Sequence, residues 1–267
     1  AVPMSTLVNS PALVLGMVLL IAGFGFKIAA VPFQMWVPDV YEGAPTPITA
    51  YLSVASKAAG FAVIIRVFFA AFGNAWLSMN WGIIFAVLAA ITMTIGNVAA
   101  IPQSNIKRLF GYSSIAQAGY LMVGLATLGI SSTSDIAGRS SILFFLTAYA
   151  FTNLGAFIAI IAISNKLGSD LIDDYTGMGK RAPLVALALT LCLISLIGIP
   201  PAAGFMAKFY IFTTAVKHGL LWLVVIAVIN SVISAYYYLR VVKVMWLGEA
   251  ASPERVPSSA VLRLGLL

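Results

Sequence analysis

The 267-residue sequence contains only one cysteine and one histidine. The single cysteine, Cys192, excludes an internal disulfide and an iron–sulfur cluster held by four cysteines of this chain. Because His218 is the one histidine, we expect no haem or zinc site built from this chain alone. No glycine-rich phosphate loop, nucleophile elbow or metal-ligand cluster occurs in the sequence. We therefore predict that this chain binds no cofactor and no metal ion.

Charged residues are also scarce. They make up 9% of the chain, whereas a soluble domain carries about 25%. Hydrophobic residues make up 61%, and the mean hydropathy is +1.04, which excludes a disordered chain. Continuous apolar runs predict an all-α fold, a polytopic bundle of transmembrane helices. The net charge of +7 comes from scattered basic residues, so it indicates loop topology and no nucleic-acid binding.

Apolar runs long enough to span a bilayer recur along the chain. We predict seven spans, at residues 11–31, 47–71, 81–101, 110–130, 141–163, 183–213 and 220–246. An eighth run begins at Ser258 and reaches the last residue, Leu267, well short of the roughly 20 residues that a span needs. We therefore expect residues 1–267 to form a single membrane domain without a soluble domain, and the sequence to be a fragment of a longer protein.

Basic residues in the loops predict the orientation of these spans. Because successive helices alternate in direction, three clusters fall on one side, which we expect to be cytoplasmic. The opposite loops contain only Arg139 and Lys217. The clusters consist of Lys107 and Arg108, of Lys166, Lys180 and Arg181, and of Arg240, Lys243 and Arg255.

Two of the predicted spans are interrupted by proline. The first does not stop at Ala30 but continues as VPFQMWVPDVYEG, which contains Pro32 and Pro38. The sixth contains Pro200 and Pro201 near its middle. Proline lacks a backbone donor and clashes with the carbonyl four residues before it. Broken helices persist at membrane depth only where protein or water satisfies the freed groups, and a pair of them indicates an ion or substrate pathway. A simple packing kink is the alternative interpretation.

Three lysines, Lys27, Lys57 and Lys208, lie within apolar spans. A charged side chain at the bilayer centre costs at least about 2.5–3.5 kcal/mol on insertion scales. Lys57 follows about ten residues of its run, or about 15 Å of helix, so it lies too deep for its amine to reach the interface easily. A lysine removed from water exchanges its proton more readily, which suits a proton relay.

An alternative interpretation is that these lysines form structural pairs with buried carboxylates. The predicted spans contain no aspartate or glutamate, so the partner acid would have to lie outside this sequence. We therefore predict that the lysines relay protons. A polar path between them would consist of uncharged side chains, which polar packing between helices explains equally well. These candidates are Gln34, Ser113, Ser114, Gln117 and Tyr120.

Four sequence blocks resemble the antiporter-like membrane subunits of respiratory complex I. The first is FKIAAVPFQMWVPDVYEGAPTPITAYLSVASK at 26–57, and the second is KRLFGYSSIAQAGYLMVGL at 107–125. The others are FTNLGAF at 151–157 and GIPPAAGFMAKF at 198–209. Their order and spacing are similar to those of the subunit N group, whose members are nearly twice as long as this sequence.

The resemblance implies an incomplete antiporter-like fold of two inverted repeats that translocates protons. It implies that Lys27 and Lys208 are the lysines of the two broken helices, and that Lys57 is the connecting lysine. It also implies that an earlier helix, outside this sequence, supplies a glutamate to Lys27. Gln34 and Gln117 occupy positions where the family often has histidine. Glutamine binds water but does not titrate, so a histidine step at either position is in doubt.

The resulting hypothesis is a proton-translocating membrane subunit of an NADH:quinone oxidoreductase in a bacterial plasma membrane. Its partners would be the lipid bilayer and other membrane subunits. The resemblance implies that NADH, FMN, iron–sulfur clusters and quinone are bound by partner subunits. The alternatives are a subunit of a multi-subunit cation/proton antiporter, a subunit of an energy-converting hydrogenase, and a non-conducting membrane scaffold with dry surroundings for all three lysines.

Overall fold

A computed structural model describes residues 11–72, 75–131 and 136–249. For residues 75–77 it describes the backbone alone, and for the others also the side chains. Within these ranges every regular element is helical, and six helices are long and apolar enough to span a membrane. The predicted all-α transmembrane bundle is therefore confirmed. The eighth run from Ser258, and Arg255 before it, lie outside the described residues.

The helices follow the predicted spans closely. A π-helical segment, Leu52–Ser56, joins the helices Thr46–Tyr51 and Lys57–Ala71 into one continuous crossing, and a short 3-10 helix, Ile172–Tyr175, precedes the helix Met178–Arg181. The helices are α1 (Pro11–Ile28), α2 (Trp36–Gly43), α3 (Thr46–Tyr51), α4 (Lys57–Ala71), α5 (Ala75–Ala100), α6 (Ile106–Ile130), α7 (Ile136–Leu167), α8 (Met178–Arg181), α9 (Pro183–Ile197), α10 (Ala203–Lys217) and α11 (Leu221–Leu247).

Helix α6 forms the centre of the bundle. Nearly all of its side chains are buried, and α2, α5, α7 and α10 pack around it. Its sequence is rich in glycine, alanine and serine, which allow neighbouring helices to approach closely. Asn105 caps its N-terminus, because the side-chain oxygen accepts hydrogen bonds from the backbone N–H groups of Lys107 and Arg108 at 2.9 and 3.2 Å.

The first predicted interruption lies between α1 and α2. Helix α1 ends at Ile28, four residues before Pro32, as expected from the clash between a proline ring and the carbonyl four residues back. Protein groups satisfy the freed backbone: the N–H of Val31 donates to Thr92 Oγ1 at 3.0 Å, and Trp36 Nε1 donates to the carbonyl of Phe26 at 3.1 Å.

Pro38 does not interrupt a helix, in contrast to our expectation from the sequence. It lies in the first turn of α2, at the third residue, and α2 continues through it to Gly43. Backbone N–H groups in a first turn have no partner within the helix, so a proline there removes no hydrogen bond. The interruption is therefore confined to residues 29–35, which include Pro32 and Gln34.

The second interruption, between α9 and α10, repeats this geometry. Helix α9 ends at Ile197, four residues before Pro201, and Gly198 follows in a left-handed conformation with φ of 90°. Pro200 also lies within the interruption. The N–H of Gly204 at the start of α10 donates to Ser195 Oγ at 3.0 Å. The sequence therefore predicted both broken spans correctly, because one proline in each sets the end of the preceding helix.

The basic clusters meet at one end of the bundle. Lys107 forms an ion pair with Asp170 at 2.9 Å, and Arg108 pairs with Asp39 and Glu42 at 2.9 and 2.7 Å. The loop after α7 is tied to the same end, because Ile172 N–H donates to the carbonyl of Ser104 at 2.8 Å. Arg240 contacts the carbonyls that follow α5. This arrangement agrees with the prediction that the basic clusters share one side of the membrane. The assignment of that side as cytoplasmic remains a prediction.

Helices α5 and α6 pack with almost no space between their backbones. A Cβ atom added at Gly119 would lie 2.6 Å from the backbone nitrogen of Met93, and one at Gly96 would lie 2.6 Å from that of Ala116. Real Cβ atoms do not approach backbone atoms so closely, so a side chain at either position must push the helices apart.

We predict that Gly119→Ala lowers the free energy of unfolding by about 1–3 kcal/mol through overpacking. Thermal unfolding of the full-length protein in detergent measures the effect. Gly43→Ala is the matched control, because nothing lies within 4 Å of a Cβ added there. Equal unfolding temperatures for the two variants would contradict the close α5–α6 contact.

Candidate functional site

Lys57 is buried at the centre of the described bundle. The residue is 2% exposed and begins α4, directly after the π-helical segment. Its amine donates hydrogen bonds to both the backbone oxygen and the side-chain oxygen of Ser114 on α6. No carboxylate lies in the membrane-spanning helices of the described residues. Neutral oxygens therefore hold this amine.

The π-helical segment Leu52–Ser56 determines where this part of the span points. Ser53 Oγ donates to the carbonyl of Ala50 at 2.7 Å and accepts from Asn153 Nδ2 at 2.6 Å. One helical turn later, Lys57 faces α6. Single π turns within α-helices occur frequently at functional sites. The sequence did not predict this segment, because neither proline nor glycine marks it.

Ser114 also forms a hydrogen bond with Tyr41 of α2. The serine that binds Lys57 therefore contacts α2 as well. The Tyr41 hydroxyl and Ser114 Oγ are 3.0 Å apart, and Tyr41 is buried. Thr49 Oγ1 donates to the carbonyl of Tyr41 at 3.1 Å. We did not select Tyr41 from the sequence. The sequence feature that could have identified it is a hydroxyl-bearing aromatic residue just beyond a helix that proline interrupts.

Lys208 is the second buried lysine, with 5% exposure. Its amine donates to the carbonyl of Ile197 at 2.8 Å and to Ser231 Oγ at 3.2 Å, and it lies 4.4 Å from the ring centre of Tyr120. The interruption after Ile197 frees that carbonyl, and the negative end of the α9 dipole favours a cation there. An aromatic face adds attraction for an ammonium group.

Lys27 occupies a different environment from the other two lysines. It lies in the last turn of α1 and is exposed on the surface of the described bundle. Its side chain passes α4, because its Cγ would lie 3.5 Å from a Cβ added at Gly60, one turn after Lys57. Among the described residues no ion pair forms at Lys27. A carboxylate partner from an earlier helix remains a prediction.

The predicted polar path is assembled in part. Ser114, Gln117 and Tyr120 succeed one another at spacings of three residues, so each is a neighbour of the next on the surface of α6. Gln117 Nε2 donates to the carbonyl of Leu196 at 3.3 Å, and Ser113 hydrogen-bonds to Tyr238. Gln34 lies in the first interruption, and the Oε1 atom of its side chain has no hydrogen-bond partner among the described residues.

A further polar network joins α5 and α6 to α11, and its members on α11, Asn230 and Tyr237, were not selected from the sequence. Asn97 Nδ2 donates to the Tyr120 hydroxyl and to Asn230 Oδ1, each at 3.2 Å, and Tyr237 donates to Asn97 Oδ1 at 2.9 Å. The rings of Tyr237 and Tyr238 are 4.4 Å apart. The available signal was the run of three tyrosines at 236–238 inside an apolar span.

The assembled groups can hold and exchange protons. Within the described ranges no group of histidine, cysteine and acidic side chains could hold a metal ion. The buried lysines contact hydroxyls and carbonyls, both of which also bind water. Both amines reach α6, at Ser114 and Tyr120, which lie six residues or about 9 Å apart along the helix and about 120° apart around it.

Comparison with known proteins places this arrangement in one family. Residues 2–234 match the family described as "NADH:quinone oxidoreductase/Mrp antiporter, TM". The chain is 56% identical over 254 residues to NADH-quinone oxidoreductase subunit N of Dehalococcoides mccartyi, covering 95% of this chain and 52% of that protein. The chain thus spans about half the length of the curated relatives it matches. The resemblance to the subunit N group is confirmed.

Solved structures show the same fold. A respiratory complex I from Thermus thermophilus matches with a TM-score of 0.78 at 33% identity, covering 97% of this chain and 55% of that one. An archaeal membrane-bound sulfane sulfur reductase matches with a TM-score of 0.84 at 31% identity, covering 94% and 50%. Both similarities confirm the helical, multi-span architecture.

We predict that Tyr41 and Ser114 are energetically coupled through their hydroxyls. Tyr41→Phe and Ser114→Ala each leave a buried polar partner unsatisfied, at a cost of about 1–3 kcal/mol. A double-mutant cycle of unfolding free energies is expected to give a coupling of about 0.5–1.5 kcal/mol. In the control cycle, Tyr41→Phe is combined with Ser141→Ala, whose hydroxyl bonds within its own helix to Gly138. Additive effects in the first cycle would contradict the contact.

Proposed function

The chain belongs to the NADH:quinone oxidoreductase/Mrp antiporter transmembrane family, and we propose that it forms the proton-conducting part of a membrane subunit of a respiratory NADH:quinone oxidoreductase. One observation carries the proposal. Lys57 and Lys208 are both buried and contact hydroxyl-bearing residues of α6 at points about 9 Å apart along the helix. Gln117 lies between these points.

The chemistry of this proposal is proton exchange between amines whose charge states influence one another. A buried ammonium interacts strongly with a neighbouring charge, because little water screens the two. Adding or removing a charge near one lysine therefore changes its tendency to hold a proton. Lys57 and Lys208 are held by groups that accept hydrogen bonds from an ammonium but do not neutralise it. Such groups leave each amine free to change its charge.

Lys27 would be the third member of this relay. It lies at the end of the first broken helix, and its side chain runs beside α4 near Lys57. Its exposure on the described bundle is consistent with a further helix packing there. A carboxylate on that helix would hold the ammonium form of Lys27 and release it when its own charge changes. The relay would thus run through Lys27, Lys57 and Lys208.

Electron transfer would take place in partner subunits. NADH, FMN, iron–sulfur clusters and quinone would be bound there, and this chain would respond to their redox reactions through other membrane subunits. The bacterial origin of the matching relatives supports a bacterial plasma membrane as the location. The lipid bilayer would surround the outward-facing apolar side chains, such as Val232 and Phe151, which are 69% and 78% exposed.

The alternative functions are less well supported. Several relatives at 50–56% identity are named as subunit N of NADH-quinone oxidoreductase, whereas the matching Mrp structure is 23% identical and supports the fold alone. A non-conducting scaffold would have dry surroundings for its lysines, yet hydroxyls and an amide surround Lys57 and Lys208. The genes beside this one would separate an oxidoreductase from an antiporter or a hydrogenase.

We predict that Lys57→Ala and Lys208→Ala each lower NADH-driven proton uptake by at least about tenfold, because a positioned proton carrier is removed. Lys27→Ala is expected to act in the same direction. Proton uptake is measured in inverted membrane vesicles that contain the full-length protein in its complex. Immunodetection of the membrane-inserted protein corrects for assembly. Lys166→Ala is the control, because this lysine is exposed at the end of α7.

Lys57→Arg separates a relay from a structural charge. A guanidinium group keeps the charge but does not release its proton in proteins. We therefore expect the arginine variant to translocate protons as poorly as the alanine variant while remaining inserted. Normal proton uptake with arginine at this position, or undiminished uptake in both Lys27→Ala and Lys57→Ala, would refute the proposed relay.

A further inference from the structure

The hydroxyl of Tyr149 is buried without a hydrogen-bond partner among the described residues. Tyr149 lies on α7 and is 5% exposed. Buried hydroxyls in proteins almost always have a partner, either protein or ordered water, because an unpaired one is costly. Its ring therefore places a polar atom where a partner is required.

A small cavity adjoins this side chain. It has a volume of about 10 Å³ and lies where α6, α7, α9 and α10 meet. This volume is close to the minimum that holds one water molecule. Half of the lining side chains are polar, and they are Gln117, Tyr149, Thr152, Ser195 and Lys208. A cavity of this size that is bordered by several polar side chains meets the minimum requirement for one water molecule.

Among the side chains that line the cavity, Lys208 and Tyr149 are able to form a further hydrogen bond. Thr152 and Ser195 bond to each other at 3.1 Å, and Ser195 also accepts from Gly204 N–H. An ammonium group has three donors. Lys208 directs two of them to Ile197 and Ser231, which leaves one for a water molecule.

The hydroxyl of Tyr149 is also close to the Lys57 contact. The side chain of Ser114 is close enough to interact with it, although the two hydroxyls do not meet ordinary hydrogen-bond geometry. Ser114 in turn accepts from the amine of Lys57. Tyr149 therefore lies between the cavity beside Lys208 and the serine that binds Lys57.

We propose that this cavity binds one ordered water between Lys208 and Tyr149, and that the Tyr149 hydroxyl passes protons between that water and Ser114. The inference rests on the proposed function. It adds α7 to a path that sequence reasoning confined to the lysines, Gln34 and α6. Tyr149 was not among the residues selected from the sequence, since one tyrosine in an apolar span gives no sign of its surroundings.

The transfer balances without any other reactant. The ammonium of Lys208 gives a proton to the water, and the water gives one of its own to the oxygen of Tyr149. Tyr149 gives its hydroxyl hydrogen to Ser114 Oγ, and Ser114 gives its hydrogen to the neutral amine of Lys57. One N–H and three O–H bonds break while three O–H bonds and one N–H bond form. Lys208 ends neutral and Lys57 ends charged, and the reverse sequence restores the start.

Tyr149→Phe tests the proposal, because it removes the hydroxyl and keeps the ring. We expect NADH-driven proton uptake to fall about tenfold or more in vesicles that contain the full-length complex, with unchanged amounts of inserted protein. Tyr236→Phe is the matched control, since Tyr236 lies on α11 with 62% exposure. Wild-type rates for the Tyr149 variant would overturn the role of the hydroxyl.

The same experiment separates this inference from the proposed function. If Lys57→Ala and Lys208→Ala impair proton uptake while Tyr149→Phe does not, only the present inference fails. If the lysine variants also behave as wild type, the proposed function itself fails. An independent readout needs no variant: an experimental density map of the complex that resolves ordered waters is expected to show one within hydrogen-bond distance of the Tyr149 hydroxyl and Lys208 Nζ. A well-resolved cavity without that density would overturn the water site.

Discussion

The arrangement depends on how a lysine amine is held inside the bundle without a carboxylate. Ser114 provides the solution for Lys57, because its backbone and side-chain oxygens both accept hydrogen bonds from the amine. An isolated charge buried in an apolar medium is very unfavourable. Neutral acceptors lower that cost without fixing the charge, as a carboxylate partner would. In the proposed relay, an amine that gains and loses a proton would be better served by such acceptors. Helix α6 supplies them from the centre of the described bundle, where almost none of its surface is exposed.

Backbone groups at the two broken helices also take part in holding buried polar groups inside the bundle. In each, the preceding helix ends four residues before a proline, at Ile28 and at Ile197. An interruption frees carbonyls and N–H groups, which must find partners in the membrane. At the second interruption, Lys208 binds the free carbonyl of Ile197, and Ser195 binds the N–H of Gly204. The break is therefore both a source of acceptors for a buried cation and a junction between α9 and α10.

Much of the fold was predictable because transmembrane helices follow from local composition. Spans, breaks and deep lysines are visible as runs, prolines and charges along the chain. Pro38 shows where this reasoning fails, since the effect of a proline depends on whether it lies in the first turn of a helix. The π-helical segment before Lys57 could not be predicted, because it arises from packing and from the contact of Ser53 with Asn153, 100 residues later. Tyr41 and Tyr237 were missed for the same reason: each forms its hydrogen bond with a residue far away in the sequence.

By itself the sequence determined that this chain crosses a membrane several times, that two of its helices break, and that three lysines lie within apolar segments. These are consequences of hydrophobicity, proline geometry and charge, which act over a few residues. Only the tertiary structure decided which lysines are enclosed: Lys57 and Lys208 within the described bundle, and Lys27 on its surface. It also decided that Ser114, Gln117 and Tyr120 face them. Enclosure depends on which helices meet around a side chain, and no local pattern in the sequence specifies that.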